Sequence, residues 1–259
     1  MKKFKLCLVG YPLKKSFSPL VFEKIAKLCN IKVDFDLIEV KDTDPLKILS
    51  LNYDGFFITI PYKKTFYQYT NPDNIARELK IINCIKKHRN SFYSTNTDYR
   101  AIVTLSRKID LAKKSATILG NGATAYVSTY FLIKKGIKKI TISAINHKNS
   151  SEIIELLKRN SLYYELLKFP QTNNSDIIIN ATPMGMYFEE KIKLNKDTKF
   201  VIDFAYTKGN TELIKNCLKN KIRYISGIEI LAMQALYGFK FITSIDIKKY
   251  YTKITEELI

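Results

Sequence analysis

The sequence has no tryptophan, only two histidines, and no apolar run that approaches the length of a membrane span. A transmembrane helix needs ~20 consecutive apolar residues, so a membrane-spanning protein is not expected. The apolar stretch near the start of the chain is short and ends at Gly10-Tyr11-Pro12. We interpret it as a β-strand rather than a signal peptide.

Cysteine is also rare, and the four cysteines show no CxxC spacing: Cys7, Cys29, Cys84 and Cys217. Because paired spacings are the usual sign of disulfide frameworks and zinc sites, neither is expected here. We therefore predict a protein of a reducing compartment, the cytoplasm, that binds no metal.

Acidic residues number only 24, against 43 lysines and arginines, which gives a net charge of +19. An excess of this size can mark a nucleic-acid-binding surface. In this chain the lysines are scattered along the whole length and arginine is scarce, so the charge is spread over every solvated face. We expect neither nucleic acid nor a membrane as a partner.

Hydrophobic residues make up 46% of the chain, which is enough for one large domain or two modest ones. In the first half, short apolar runs predict strands over 4–9, 33–40 and 55–60, with helices over 19–30, 44–51 and 74–80. Residues 81–86 and 91–94 follow as a hairpin. This βαβα order predicts parallel strands joined by crossover helices.

The same alternation starts afresh in the second half. Strands are predicted over 116–119, 139–144, 176–180, 200–204 and 223–225, with helices over 123–135, 150–160 and 211–219. The chain is therefore expected to be an α/β protein, with an N-terminal αβα domain that has a mainly parallel sheet and a second, Rossmann-like domain. The break is expected within a helix over 99–108, at a cleft where substrate and cofactor meet.

A glycine-rich turn follows the first strand of the second half and opens a helix: Gly120-Asn121-Gly122-Ala123-Thr124-Ala125. In a dinucleotide site the first glycine permits the tight turn, the second lets the backbone approach the pyrophosphate, and the helix N-terminus supplies free N–H groups. The pattern predicts a nicotinamide dinucleotide site. A plain strand-to-helix turn is the alternative.

The end of the next strand indicates which dinucleotide is bound. A NAD site usually has an acidic residue there for the ribose 2′-hydroxyl. This chain has no acid before Glu152 and instead offers His147 and Lys148, which favour a 2′-phosphate and so NADP. The alternative is that His147 and Lys148 belong to an ordinary solvated turn.

Three polar segments of the first half are candidates for a site. Ser16-Phe17-Ser18-Pro19 leads into a helix, where Ser18 would either cap the helix or help to bind a carboxylate. Pro61 would start another helix with Lys63 in its first turn, where the helix dipole disfavours a cation, and a broken local rule suggests function. The alternative is chance placement, since lysine is frequent throughout this chain. Asn96-Thr97-Asp98 precedes the helix at Tyr99. Thr97 or Asp98 would either cap this helix, or the Asp98 carboxylate would orient Lys63 and stabilise its charged form.

These segments of the first half also match one family pattern in order. Gly10-Tyr11-Pro12 with Ser16-Phe17-Ser18-Pro19 looks like G-x-P…S-x-S-P, Thr59-Ile60-Pro61-Tyr62-Lys63 like T-[VI]-P-[FH]-K, Ile82-Asn83-Cys84 like V-N-T, and Asn96-Thr97-Asp98 like N-T-D. The ordered set resembles the shikimate dehydrogenase family. The resemblance implies that Lys63 and Asp98 are catalytic and that a group of four residues binds substrate: Ser16, Ser18, Thr59 and Asn83.

The second half is similar to the same family. Besides the glycine turn, Asn180-Ala181-Thr182-Pro183-Met184-Gly185-Met186 resembles the N-A-T-P-x-G-M signature beside the nicotinamide, Asp203-Phe204-Ala205-Tyr206 resembles D-x-x-Y, and the helix with Gly227 and Gln234 resembles G-x-G-M-L…Q. The resemblance implies two further substrate-binding residues, Tyr206 and Gln234. It implies cofactor binding at Gly120, Asn121, Gly122, Ala123, Thr124, Ala181, Thr182, Met184 and Gly227.

The resemblance also implies a reaction, the reversible reduction of 3-dehydroshikimate to shikimate by NADPH in the aromatic amino acid (chorismate) pathway. A final helix over 247–258 is predicted to pack on the first domain. The first domain would then comprise residues 1–98 and 240–259, and the second residues 99–239. We expect a monomer or homodimer. Phe57, Tyr99 and Glu229 stand where the family has asparagine and two glycines, and the arginine that grips the 2′-phosphate has no counterpart. A quinate/shikimate dehydrogenase that prefers NAD and a drifted, non-catalytic ligand-binding relative are the alternatives.

Overall fold

The computed structural model describes residues 2–258 and separates them into two compact units. One unit contains the residues up to Ala101 together with Leu231–Leu258, and the other contains Ile102–Ile230. The chain passes from one unit to the other inside two helices, Thr97–Leu105 and Gly227–Thr243. We expected the changes of domain near 98–99 and 239–240; a helix that continues through the change leaves no loop by which the sequence could mark it.

The first unit is built on a six-stranded sheet of β1 (Lys3–Gly10), β2 (Lys32–Glu39), β3 (Gly55–Ile58), β4 (Asn71–Pro72), β5 (Cys84–His88) and β6 (Ser91–Thr95). The strand order is β2-β1-β3-β5-β6-β4. Only β5 runs antiparallel to its neighbours, and its hairpin with β6 confirms the predicted one. The carboxyl ends of β1, β3 and β6 and the beginning of β5 therefore lie at one edge of the sheet.

Four helices accompany this sheet: α1 (Ser18–Cys29), α2 (Pro45–Ser50), α3 (Asn74–Leu79) and α4 (Thr97–Leu105). Asp44 and Asp73 cap α2 and α3, since their carboxylates accept hydrogen bonds from Leu46 N and Ala76 N, both at 2.9 Å. β3 is buried on both faces, as a central strand between packed layers must be.

The second unit contains six strands: β7 (Ser115–Leu119), β8 (Lys139–Ala144), β9 (Tyr163–Lys168), β10 (Ile177–Asn180), β11 (Phe200–Asp203) and β12 (Arg223–Ile225). All are parallel, in the order β12-β11-β10-β7-β8-β9. This is the doubly wound order of dinucleotide-binding domains, and it confirms the predicted Rossmann-like fold. The order reverses between β7 and β10, where such sheets bind their ligands beyond the carboxyl ends of the strands.

Five further helices follow: α5 (Ala123–Lys134), α6 (Ser151–Arg159), α7 (Glu212–Lys219), α8 (Gly227–Thr243) and α9 (Tyr251–Glu256). α9 lies in the first unit, where Glu257, just after it, accepts a 2.7 Å hydrogen bond from Lys24 of α1. None of the helices among the described residues is long and apolar enough to cross a membrane.

The structure corrects three local expectations. Residues 60–66 form consecutive turns followed by a short 3-10 helix, Tyr67–Tyr69, so the helix predicted after Pro61 is wrong and Lys63 does not lie in the first turn of a helix. Ser18 is the first residue of α1 rather than its N-cap. The strand β9 was not predicted, because Glu165 interrupts its apolar residues and this partly exposed edge strand lacks the continuous apolar run that marks the buried strands.

Candidate active site

Lys63 and Asp98 form a buried ion pair in the first unit. Lys63 Nζ donates to Asp98 Oδ2 at 2.7 Å, and each residue is only 9% exposed. The turn that carries Lys63 is tied to the segment before β5, since Lys63 O accepts from Ile82 N at 2.9 Å. Asp98 lies in the first turn of α4, where the helix dipole favours an acid. Two residues from separate elements are thus held in contact with little solvent between them.

The capping alternative for Asp98 and Thr97 is wrong, because Asn96 performs that role. Asn96 Oδ1 accepts from Tyr99 N at 2.9 Å at the start of α4, while Asn96 Nδ2 donates to Ile81 O at 3.0 Å. Asp98 is therefore left to hold Lys63.

The loop after β1 begins against the segment after β3. Tyr11 N donates to Ile60 O at 2.8 Å, and a Cβ at Gly10 would overlap the methyl group of Thr59. Further along this loop, Ser16 Oγ accepts from Ser18 N at 3.3 Å. The fold thus brings the start of the serine loop beside Thr59 at the edge of the sheet where Lys63 and Asp98 lie.

Several donors at this edge have no protein partner among residues 2–258. They are the hydroxyl groups of Ser18 and Thr59 and the side-chain nitrogen of Asn83, although Asn83 is only 4% exposed and Ser18 6%. Each of these donor atoms keeps some access to solvent, so each is available to a polar ligand. All three were among the predicted substrate-binding residues.

Thr97 is a residue of this site whose role the sequence did not reveal. Asn83 Oδ1 accepts from Thr97 N at 2.6 Å, and the Thr97 hydroxyl lies 3.1 Å from both Asn83 Oδ1 and Gln234 Oε1. A hydroxyl has one hydrogen to donate, so it serves one amide oxygen at a time. Thr97 therefore joins two predicted substrate-binding amides and turns the nitrogen of Asn83 away from itself. Its place in the N-T-D segment was the available signal.

The glycine turn of the second unit fits a dinucleotide. Gly120 has φ +100°, and a Cβ there would lie 2.8 Å from Thr182 Cγ2, so only glycine suits this position. At Gly122, by contrast, a Cβ would meet no described atom within 4 Å. Gly122 is the N-cap of α5 and supplies no side-chain cap, which leaves N–H groups of the helix available to a phosphate.

The turn after β8 is organised by its own side chains. Asn121 Nδ2 donates to Asn146 O at 2.8 Å, Asn146 Oδ1 accepts from Lys148 N at 3.0 Å, and His147 Nε2 lies 2.7 Å from Leu167 O. The imidazole is therefore engaged with the chain itself, whereas Lys148 is exposed. Ile145, which immediately follows the strand, is 81% exposed.

The loop that follows β10 is fixed by a buried carboxylate at the end of β11. Asp203 is fully buried and accepts from Thr211 Oγ1 at 2.6 Å, Asn180 Nδ2 at 2.8 Å and Ala205 N at 3.0 Å. Burial raises the pKa of Asp203 to about 6, and its three hydrogen bonds limit the rise. Met184, on the same loop, is 3% exposed and packs in the core, so it could meet a cofactor only through its backbone.

The remaining predicted residues also have defined surroundings. A Cβ at Gly227 would overlap the carbonyl oxygen of Ala205, so α8 begins in direct contact with the segment after β11. Gln234 lies in α8, and its Nε2 donates to Leu231 O at 3.2 Å. Tyr206 is half-buried and belongs to the second unit, whereas the other predicted substrate-binding residues belong to the first.

Two departures from the family pattern have structural explanations. Phe57 is 3% exposed, packs at a tilt against Phe22 with ring centroids 4.9 Å apart, and occupies the space that a Cβ at Gly238 would need. Glu229 and Ser226 form a capping box at the start of α8, in which Glu229 Oε2 accepts from Ser226 N at 2.8 Å and Ser226 Oγ from Glu229 N at 3.3 Å. Phe57 is a core residue and Glu229 a helix-capping residue.

Two family models match the chain. The shikimate dehydrogenase substrate binding domain matches residues 8–85, and the shikimate / quinate 5-dehydrogenase model matches residues 103–217. The first match contains Lys63, and the second contains the glycine turn and Asp203.

Relatives of known name match over nearly the full length. A shikimate dehydrogenase (NADP(+)) of Prochlorococcus marinus is 30% identical, with 92% of this chain and 91% of the relative covered. One of Saccharolobus solfataricus is 31% identical, with 90% and 87% covered. Among solved structures, shikimate dehydrogenase 1 of Peptoclostridium difficile has a TM-score of 0.81 at 26% identity, covering 100% of this chain and 98% of that one.

Proposed function

This chain belongs to the shikimate dehydrogenase family, and we propose that it catalyses the reversible reduction of 3-dehydroshikimate to shikimate with NADPH in the aromatic amino acid (chorismate) pathway. The observation that carries the proposal is the buried Lys63–Asp98 pair at the sheet edge where unpaired donors collect. An oxidoreductase that converts a ketone to an alcohol needs such a proton donor beside its substrate.

Lys63 handles the proton. Reduction of a ketone adds a hydride to the carbonyl carbon and a proton to the carbonyl oxygen, and Lys63 Nζ gives that proton and recovers it in the reverse direction. Asp98, which accepts from Lys63 Nζ at 2.7 Å, holds the amine in one orientation and stabilises its charge. When bound, NADPH supplies the hydride.

The unpaired donors bind the substrate. Ser16 and Ser18 bind the carboxylate, for which hydroxyl donors beside the beginning of a helix are suited. Thr59 and Asn83 bind oxygens of the ring through donors that have no partner in the described chain. Gln234 and Tyr206 are assigned to the substrate by resemblance to the family.

The second unit holds the cofactor. Gly122 leaves open space beside an uncapped helix N-terminus, and Thr182 lies against Gly120 where the strand order reverses, so the residues present fit a pyrophosphate and the adjoining dinucleotide. Ala123 and Thr124 continue the phosphate-binding turn. The absence of an acid after β8 and the exposed Lys148 favour NADP over NAD.

The decisive test is an assay of the purified protein with the four combinations of cofactor, NADPH or NADH, and substrate, 3-dehydroshikimate or 3-dehydroquinate. The proposal predicts the highest kcat/KM for NADPH with 3-dehydroshikimate. A preference for NADH would contradict the cofactor assignment, and a preference for 3-dehydroquinate would favour a quinate dehydrogenase. No oxidation of either cofactor would favour a non-catalytic relative.

All four cysteines are free, in keeping with a cytoplasmic protein, and we expect a monomer or homodimer.

A further inference from the structure

Asp203 is a fully buried carboxylate that the proposed reaction does not use. Its three hydrogen bonds come from a hydroxyl, a side-chain amide and a backbone amide, and within residues 2–258 no lysine, arginine or histidine forms an ion pair with it. Burying a carboxylate without a counter-ion is costly, so its retention in the core of the second unit calls for a compensating role.

The first consequence of the carboxylate is the orientation of Asn180. A carboxylate only accepts hydrogen bonds, so it must face the nitrogen of the Asn180 amide, which lies 2.8 Å from Asp203 Oδ1. The oxygen of Asn180 is thereby turned toward the following loop. There it accepts from Thr182 N at 3.1 Å and from Thr182 Oγ1 at 2.6 Å.

The loop is closed by two further bonds that depend on the same orientation. Asn180 Nδ2 also donates to Met184 O at 3.1 Å, and Met184 N donates to Thr182 Oγ1 at 3.2 Å. On the other side of Asp203, Thr211 caps α7, and its methyl group lies against Gly185, where a Cβ would come within 2.9 Å. One carboxylate therefore sits at the centre of the hydrogen bonds that shape residues 180–185.

The loop so shaped touches the glycine turn. A Cβ at Gly120 would lie 2.8 Å from Thr182 Cγ2, and β7 and β10 are neighbours with Leu119 paired to Asn180. A change in the orientation of Asn180 would reach Thr182 and then the space next to Gly120. This is the position at which a doubly wound sheet binds its ligand.

We propose that Asp203 is a positioning residue for the cofactor, whose carboxylate acts through Asn180 to set Thr182 and the following loop against the glycine turn. The inference rests on the proposed function in one respect, that NADPH binds at this turn. Asp203 itself does not touch the cofactor. Its contribution is to cofactor affinity rather than to the proton transfer at Lys63.

The test compares two variants of the full-length protein with wild type. Asp203→Asn keeps the shape but replaces one acceptor oxygen by a donor, which either opposes Asn180 Nδ2 and Ala205 N or requires the Thr211 hydroxyl to accept instead of donate. Thr182→Val keeps a methyl group against Gly120 and removes the hydroxyl that Asn180 holds. The dissociation constant for NADPH is measured by titrating NADPH fluorescence, and KM for 3-dehydroshikimate is measured at saturating NADPH.

We expect the dissociation constant for NADPH to rise by about tenfold or more in Asp203→Asn and by a smaller factor in Thr182→Val, with KM for 3-dehydroshikimate within about twofold of wild type. Ser128→Ala, which removes a hydroxyl that bonds only within α5, is the control and should bind NADPH as wild type does. Unchanged NADPH affinity in Asp203→Asn would overturn the inference. If Asp203→Asn does not fold, unchanged affinity in Thr182→Val overturns it instead. A wild-type protein that does not bind NADPH would contradict the proposed function itself.

Discussion

Lys63 Nζ and Asp98 Oδ2 lie 2.7 Å apart although 35 positions separate the two residues in the sequence. The turn after β3 carries the lysine and the first turn of α4 carries the carboxylate. Because removal of one member of a buried pair leaves the other charge without a partner, the two residues act as a unit. Variants that leave this pair intact can therefore separate substrate binding and cofactor binding from proton transfer.

Thr97→Val should weaken substrate binding without abolishing turnover. The variant keeps the backbone N–H group of residue 97, which donates a hydrogen bond to Asn83 Oδ1. It loses the hydroxyl that lies between the side-chain amides of Asn83 and Gln234, so both amides can rotate more freely. We expect KM for 3-dehydroshikimate to rise by about five- to tenfold, the scale of one lost hydrogen bond, with kcat changed less. Thr97→Ser retains the hydroxyl and should stay near wild type. A fall in kcat at unchanged KM would show that Thr97 does not orient the amides.

Gly122→Ala should separate cofactor binding from stability. Its backbone angles suit alanine and the added methyl group would meet no described atom, so the free energy of unfolding should change by no more than about 0.5 kcal/mol. The same methyl group would stand where the pyrophosphate approaches the backbone, and we expect KM for NADPH to rise by about tenfold or more. Thermal unfolding and steady-state kinetics measure the two effects. An unchanged KM for NADPH would place the pyrophosphate elsewhere.

Glu229→Ala should lower stability and leave catalysis unchanged. The carboxylate accepts from the backbone and hydroxyl of Ser226 in the capping box of α8, and such caps contribute about 1 kcal/mol to the free energy of unfolding. Glu229→Gln can form the same box and is the matched control. A loss of kcat/KM in Glu229→Ala as large as tenfold would mean that this residue serves the cofactor rather than the helix.

Asp203 should make stability depend on pH in a predictable direction. Because burial raises its pKa from 3.8 to about 6, the folded protein binds this proton more tightly than the unfolded chain does. The stabilisation is complete below 3.8 and is lost as the pH rises through about 6. From about pH 4 to about pH 7, the free energy of unfolding of wild type should fall relative to Asp203→Asn by on the order of 3 kcal/mol. Denaturant unfolding at each pH measures this difference; a constant difference would contradict it, and the exposed Asp197→Asn is the control.

Much of the fold was predictable because short continuous apolar runs mark strands that are buried on both faces, as in β10. β9 was missed because a partly exposed edge strand needs no continuous apolar run. The helix predicted after Pro61 was wrong because a favourable first residue does not make the following residues helical. In both cases the structure depends on packing against other segments, which the sequence of one segment does not show.

The sequence identified the candidate residues of the site but not which of them form hydrogen bonds with one another. Helix capping and catalysis call for the same residue types, so the N-T-D segment could not reveal that Asn96 caps α4 and frees Asp98. Phe57 could have been taken for a residue of the site until its ring was found among Phe22 and Phe35. By contrast, the Ser-x-x-Glu spacing that explains Glu229 was present in the sequence.

We propose that Lys63 carries the proton in shikimate dehydrogenation. This role is tested by the rate of NADPH oxidation with saturating 3-dehydroshikimate in wild type, Lys63→Met and Lys64→Met, where the exposed Lys64 is the matched control. We predict that Lys63→Met lowers kcat by ~10² or more with little change in KM, while Lys64→Met retains the wild-type kcat. A Lys63→Met variant with the wild-type kcat would show that Lys63 is not the proton donor.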